Sequence, residues 1–88
     1  MEDWQNLHNR LDRAHKLTLG MRFGIKDLWR MHRAVYDRLQ LANAEWVNCR
    51  QRGRGSPRFD ELMTQAEEAM KNFEGHIMIA KLMDKEIR

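Results

Sequence analysis

The sequence predicts an all-α fold, either an antiparallel helical hairpin with a long first helix or a three-helix bundle. Two long stretches place apolar residues at alternating steps of three and four residues. This spacing keeps one helix face on a partner in coiled coils and bundles. Charged residues make up 33% of the 88 residues, more than the usual quarter, which is typical of long amphipathic helices. A chain of this length predicts a single domain, residues 1–88.

The first stretch predicts a helix over about residues 3–51. A β-strand does not produce this spacing, because its side chains alternate with a period of two. Only Thr18 and His32 are polar among the positions of the pattern. The positions are Trp4, Leu7, Leu11, Ala14, Thr18, Met21, Ile25, Leu28, His32, Val35, Leu39, Ala42, Trp46 and Cys49.

Two glycines, Gly20 and Gly24, lie within this first stretch and leave two architectures open. Each glycine costs about 1 kcal/mol in a helix interior, so the chain can break between them and fold back as a third helix of a monomeric bundle. Alternatively the helix continues unbroken, and a second subunit covers its overhanging residues 3–19. The heptad phase passes through the glycines without a shift, which favours the unbroken helix and a homodimer of hairpins.

A second helix is predicted over about residues 57–87. Its start is indicated by Ser56 and Pro57, because Ser is favoured at the N-cap and Pro at the first helical position. The apolar pattern then continues nearly to the C-terminus and fails only at Asp84. The basic turn 52–56 between the helices is short and contains glycine, so we expect the chain to reverse there.

The antiparallel arrangement predicts a register. Equal rise per residue in both helices pairs residues whose numbers sum to about 108, which puts Val35 opposite Phe73 and His32 opposite His76. Two close imidazoles resist double protonation, so we expect a neutral polar layer whose stability falls at acidic pH. The neighbouring Gly75, unusual within a helix, indicates either a kink or a close approach to another chain.

The first helix carries the predicted binding surface. Residues 1–59 hold twelve of the 16 Lys and Arg against six acids, so this part of the chain is cationic. Aromatic residues and Arg, which are enriched in protein interfaces, lie side by side on its outward face. We expect this face to bind an acidic surface of a protein partner, and the chain to form a homodimer. The residues of the predicted surface are Arg22, Phe23, Lys26, Trp29, Arg30 and Arg33.

The basic turn supports an alternative function, the binding of DNA or RNA phosphates. Arginine side chains on a glycine-containing loop suit a phosphate backbone and predict binding that is independent of sequence and sensitive to salt. The cationic stripe of the first helix would extend such a site. The arginines of the turn are Arg50, Arg52, Arg54 and Arg58.

Catalysis and cofactor binding have no motif to support them: the sequence contains no glycine-rich phosphate loop and no nucleophile elbow. His8, Asp12 and His15 share a helical face, but without a fourth ligand we do not expect a metal site. A single Cys49 rules out an internal disulfide and favours the cytoplasm. The longest apolar run is the four residues 77–80, so we expect neither a membrane span nor a secretion signal.

The sequence thus favours a small non-enzymatic regulatory protein, an adaptor or an inhibitor. Short single-domain helical proteins of this kind are frequent in phage and mobile-element genomes, which suggests a similar origin.

Overall fold

The computed structural model describes residues 2–52 and 56–87, which form three helices. Helix α1 is Glu2–Thr18, α2 is Ile25–Arg52 and α3 is Pro57–Ile87, and none of the described residues lies in a strand. The predicted all-α fold is confirmed in its three-helix form. The helices pack side by side in a bundle 54 Å long and 16 Å across.

The first predicted helix is broken between Thr18 and Ile25, so the expectation of an unbroken helix is wrong. Gly20 has a φ of 84° and Gly24 a φ of 66°, left-handed conformations that glycine adopts without steric cost and that commonly end helices. The N–H of Met21 donates to the carbonyl of Thr18 at 3.1 Å, which closes a tight turn after α1. The chain then reverses, and α1 lies against α2.

Asp84 of α3 holds this α1–α2 connection in place. Its Oδ1 accepts hydrogen bonds from the backbone N–H groups of Arg22 at 3.2 Å and Phe23 at 3.4 Å. The Asp84 residue is only 7% exposed, so the two N–H groups gain an acceptor inside the bundle rather than in water. The one position at which the apolar pattern of α3 fails therefore carries a buried side chain with a structural partner.

Helix α2 runs antiparallel to α1. Near the start of α1, the indole N–H of Trp4 donates to the carbonyl of Leu39 at 2.7 Å. Near the end of α1, the ring of His15 lies on that of His32, which precedes Leu39 in α2, with 4.3 Å between the ring centroids. The earlier part of α1 therefore faces the later part of α2, as a reversal at the glycines requires.

Aromatic contacts fix the register between α2 and α3. The ring centroids of Trp46 and Phe59 are 5.4 Å apart, and those of His32 and Phe73 are 6.0 Å apart. The residue numbers of both pairs sum to 105, three less than the predicted value, which is under one helical turn. The buried apolar cluster between the helices consists of Leu7, Leu11, Ala14, Leu28, Val35, Leu39, Ala66, Met70, Phe73, Ile77 and Ala80.

A charged cluster fastens α1 to α3. The guanidinium of Arg10 donates from Nε to Glu74 Oε2 at 2.9 Å and from Nη1 to Glu67 Oε1 at 2.8 Å, and its Nη2 also donates to Glu74. The hydrogen bonds from Arg10 lower the pKa of Glu74. Planar, forked donation of this kind is specific to Arg. The contacts require α1 and α3 to lie side by side, which an unbroken first helix would not allow.

The predicted start of α3 is confirmed. The Ser56 hydroxyl accepts a hydrogen bond from the backbone N–H of Phe59 at 3.2 Å, the contact expected of an N-cap residue. The same hydroxyl donates to Glu45 of α2 at 2.8 Å. The cap therefore also links the two helices across the turn.

We expect Asp84→Ala to lower the free energy of unfolding by about 1–2 kcal/mol, because two backbone N–H groups of the α1–α2 connection lose their acceptor. Asp84→Asn should lose less, since its amide oxygen can still accept. Urea unfolding followed by circular dichroism measures the change. Asp37→Ala, which removes an exposed acid of α2, is the control. Equal stabilities for Asp84→Ala and Asp37→Ala would contradict the role of Asp84.

Candidate partner-binding surface

The structure divides the six residues of the predicted binding surface between a helix and a connection. Lys26, Trp29, Arg30 and Arg33 lie on α2 and are exposed. Arg22 and Phe23 precede α2, also exposed, and their backbone N–H groups bond to Asp84. The prediction of one helical stripe that begins at Arg22 is therefore wrong, because the chain reverses there instead of continuing as a helix.

The four residues on α2 share their side of the helix with Tyr36, and we call this set of five the α2 face. At about 100° per residue, Lys26, Arg30 and Arg33 lie on the outward side of α2, and Trp29 and Tyr36 lie together along one flank of these cations. Trp29 is 60% exposed and Tyr36 is 44% exposed. Two aromatic side chains and three cations thus occupy one surface of a regular helix.

The arginines of the α2 face are only loosely paired. Arg30 Nη1 lies 4.0 Å from Asp27 Oδ1, and Arg33 Nε lies 3.8 Å from Asp37 Oδ2. The arginine side chains are 82% and 83% exposed. Ion pairs of this type within an exposed helix contribute about 0.5 kcal/mol or less. Both guanidinium groups can therefore exchange these contacts for those of a bound partner at little cost.

The alternative site at the basic turn is only partly covered by the structure. Arg50, in the last turns of α2, and Arg58, in the first turn of α3, are both exposed. Arg54 and the side chain of Arg52 lie outside the described residues. The described residues therefore supply two exposed arginines, one on each side of the turn.

The predicted pairing of His32 with His76 is wrong. His76 is exposed, and its Nδ1 lies 2.9 Å from the carbonyl of Asn72, one turn earlier in α3. His32 packs instead on His15, because α1 folds back and covers this part of α2. The Nδ1 atom of His15 is buried without a hydrogen-bond partner. The polar layer therefore exists, but it joins α1 to α2.

The packing of His32 favours its neutral form. Burial lowers the pKa of His32, and the neighbouring His15 lowers it further, while Asp12 acts weakly in the opposite direction. Asp12 itself lies 3.5 Å from His8, whose ring stacks on Trp4. Among the described residues, no three His, Cys, Asp or Glu side chains are grouped so that they could hold a metal ion.

A second exposed surface lies on the C-terminal half of α3 and was not predicted from the sequence. Met78, Ile79, Leu82 and Met83 are exposed, and Gly75 lies on the same side one turn earlier. We call these five residues the α3 face. The signal was present in the four consecutive apolar residues 77–80, since a helix with one buried face needs only about half of them. The predicted register, in which paired residue numbers sum to about 108, puts Met83 opposite Ile25, yet Met83 is 42% exposed.

Comparison of the chain with protein-family models, curated proteins and solved structures gives no match. None of the described helices is long and apolar enough to cross a membrane.

We expect stability to fall as the pH drops below the ordinary histidine pKa of about 6.5. The folded-state pKa of His32 is lowered, so the unfolded chain takes up a proton that the folded chain resists. The contribution of His32 is complete above the unfolded-state pKa and is lost between that value and the lower folded-state value. Urea unfolding at a series of pH values from 8 to 5 (on the order of one unit apart) measures the loss.

The substitution His32→Gln should remove part of this acid-induced loss, while His76→Gln, at an exposed histidine, should leave it unchanged. Identical pH profiles for the wild type and His32→Gln would show that the His15–His32 contact does not govern the response.

Proposed function

We propose that this protein is a regulatory adaptor or inhibitor that binds an acidic surface of a partner protein through the α2 face. The observation that carries the proposal is Trp29, which projects 60% exposed from a regular helix beside the highly exposed side chains of Arg30 and Arg33. The protein would act by binding rather than by catalysis, and the single free Cys49 supports a cytoplasmic location.

The composition of the α2 face is that of an interface centre. Trp, Tyr and Arg are the residues most enriched among interface hot spots, and Trp29, Tyr36 and Arg33 lie within about 60° of one another around the helix. Burial of a large aromatic ring gives a favourable hydrophobic free energy, and the ring loses little conformational entropy on binding because it has few rotamers. The residues also lie on a regular helix, so little backbone ordering is needed for binding.

Charge indicates the kind of partner. Lys26, Arg30 and Arg33 lie beside Trp29, and the whole chain carries a formal net charge of +3. An acidic partner would be attracted before contact and would be oriented by the same cations after it. Pairing of two α2 faces is less favourable, since the cations of the two copies would repel each other.

The acids on α2 favour a protein over a nucleic acid. Asp27 and Asp37 lie within 4.0 Å of Arg30 and Arg33, so a continuous phosphate backbone along the helix would meet carboxylates as well as guanidinium groups. A protein surface can offer a mixture of charges that matches both. Nucleic-acid binding through the turn, with Arg50 and Arg58, is the alternative outcome of the test.

The test is affinity purification of the tagged full chain from lysate of its source cells, with and without nuclease, followed by mass spectrometry. We expect one protein at a stoichiometric amount that persists after nuclease treatment. Trp29→Ala and the double variant Arg30→Glu with Arg33→Glu should each weaken its binding by about thirtyfold or more, the effect typical of hot-spot residues.

Two matched controls use exposed residues outside the α2 face. Leu41→Ala removes an exposed apolar side chain from α2 about three turns beyond Arg30, and Lys16→Glu reverses an exposed charge on α1. Both should retain binding, and circular dichroism should show unchanged helicity for all variants. Recovery of nucleic acid alone, weakened by Arg50→Ala with Arg58→Ala and unaffected by Trp29→Ala, would replace the proposal with the alternative.

A further inference from the structure

We propose that the α3 face is a self-association surface, on which α3 of one subunit pairs antiparallel with α3 of a second copy. This inference is independent of the proposed function, because it concerns a different helix and different residues.

The apolar side chains of the α3 face are highly exposed. Met78 is 70% exposed, Leu82 is 65% exposed and Ile79 is 58% exposed, and all three project from the side of α3 opposite its buried positions. Each such side chain offers on the order of 100 Å² of apolar surface. Together with Met83 they form a patch in the range, about 300–600 Å², that on small soluble proteins is often functional.

Nothing in the described part of the subunit requires a glycine at position 75. Gly75 lies inside α3 with an ordinary helical backbone, since among the described glycines the positive φ values belong to Gly20 and Gly24. A Cβ added at Gly75 would meet nothing within 4 Å, so packing within the subunit does not require a glycine either. A glycine that weakens a helix without such a need is explained by close approach of another chain.

One antiparallel register pairs residues of complementary size and residues of opposite charge. A two-fold axis between Met78 and Ile79 places Gly75 opposite Leu82 of the partner subunit, so that the smallest residue faces a large one. The same axis places Met78 opposite Ile79 of the partner subunit. One turn further out, Lys71 lies opposite Glu86 of the partner subunit. By symmetry each of these contacts occurs twice.

The charges select the antiparallel orientation. Lys71 and Glu86 are exposed and make no ion pair among the described residues of their own subunit. Parallel pairing would put Lys71 beside Lys71 of the partner subunit and Glu86 beside Glu86 of the partner subunit. It would also put Gly75 opposite Gly75 of the partner subunit, which leaves a gap. Antiparallel pairing replaces two repulsions and a gap with two ion pairs and two filled contacts.

The available area predicts a dimer of moderate strength. A standard interface buries about 800 Å² on each partner, more than four aliphatic side chains provide. Leu17, which is 51% exposed, and Met21 line the grooves next to Met78 and Leu82 and extend the apolar surface. We therefore expect a dissociation constant on the order of micromolar.

The first experiment is sedimentation equilibrium of the purified full chain from about 1 to 300 μM, a range that brackets the expected constant. The mass should rise from that of the 10.6 kDa monomer to twice that value. Ile79→Ser and Leu82→Ser should each raise the dissociation constant about thirtyfold or more. Leu41→Ser, an equally exposed leucine on α2, should not change it.

The substitution Gly75→Gln should change the stability of the monomer and the strength of the dimer in opposite directions. Gln is a far better helix former than Gly and has open space at this position, so the monomer should unfold at a higher temperature when measured below the dissociation constant. The dimer should weaken at least tenfold, because the longer side chain occupies the place of Leu82 of the partner subunit. Opposite effects on the two quantities are expected only if another chain approaches Gly75.

Charge reversal tests the orientation. Lys71→Glu and Glu86→Lys should each weaken the dimer several-fold at low salt, and the double variant should restore it, because the opposite charges face each other again. Lys16→Glu is the control for a change in net charge. A monomer at every concentration overturns the proposal, as does a dimer that is indifferent to Ile79→Ser and Leu82→Ser. Single charge variants that are not rescued by the double variant overturn the antiparallel register.

Discussion

The carboxylate of Asp84 accepts hydrogen bonds from two backbone N–H groups, and the arrangement of the bundle depends on this interaction. The α1–α2 connection leaves the helical conformation at Gly20 and Gly24, so its N–H groups need acceptors other than the helix itself. Asp84 supplies one from inside α3, which fixes both the reversal and the position of α1 on the other helices. The contacts of Arg10 with Glu67 and Glu74 follow from that position.

The fold class and the start of α3 could be predicted from the sequence because local spacing and capping determine them. The break in the first helix could not be read from the same spacing. Thr18 and Leu28, on either side of the break, are both buried, since α1 and α2 each turn the same phase of the pattern inward. Continuity of the heptad phase therefore does not distinguish one long helix from two that fold together. The two glycines carried the decisive signal, through their left-handed backbone conformation.

The errors in the site follow from the same cause. The register of a two-helix hairpin predicts His76 opposite His32, whereas the return of α1 places His15 on His32 and leaves His76 exposed. The exposure of Arg30 and Arg33 was predictable, since charged residues at these positions exclude that side of α2 from the core. The α3 face could not be located from the sequence, because consecutive apolar residues point to nearly every side of a helix. The pattern then does not show which of them are exposed.

The two exposed faces meet different physical requirements. The α2 face is cationic and aromatic, whereas the α3 face is apolar and lies between one exposed cation, Lys71, and one exposed anion, Glu86, at matched distances from its centre. The α3 face is thus complementary to itself and the α2 face is not. Pairing through α3 would give a two-fold particle that carries two α2 faces. Two equal faces raise the apparent affinity for a symmetric or repetitive partner without any new contact, because the second binding event is intramolecular. Self-association on one helix would in this way strengthen recognition on another, and the strength of binding would depend on the concentration of the chain itself.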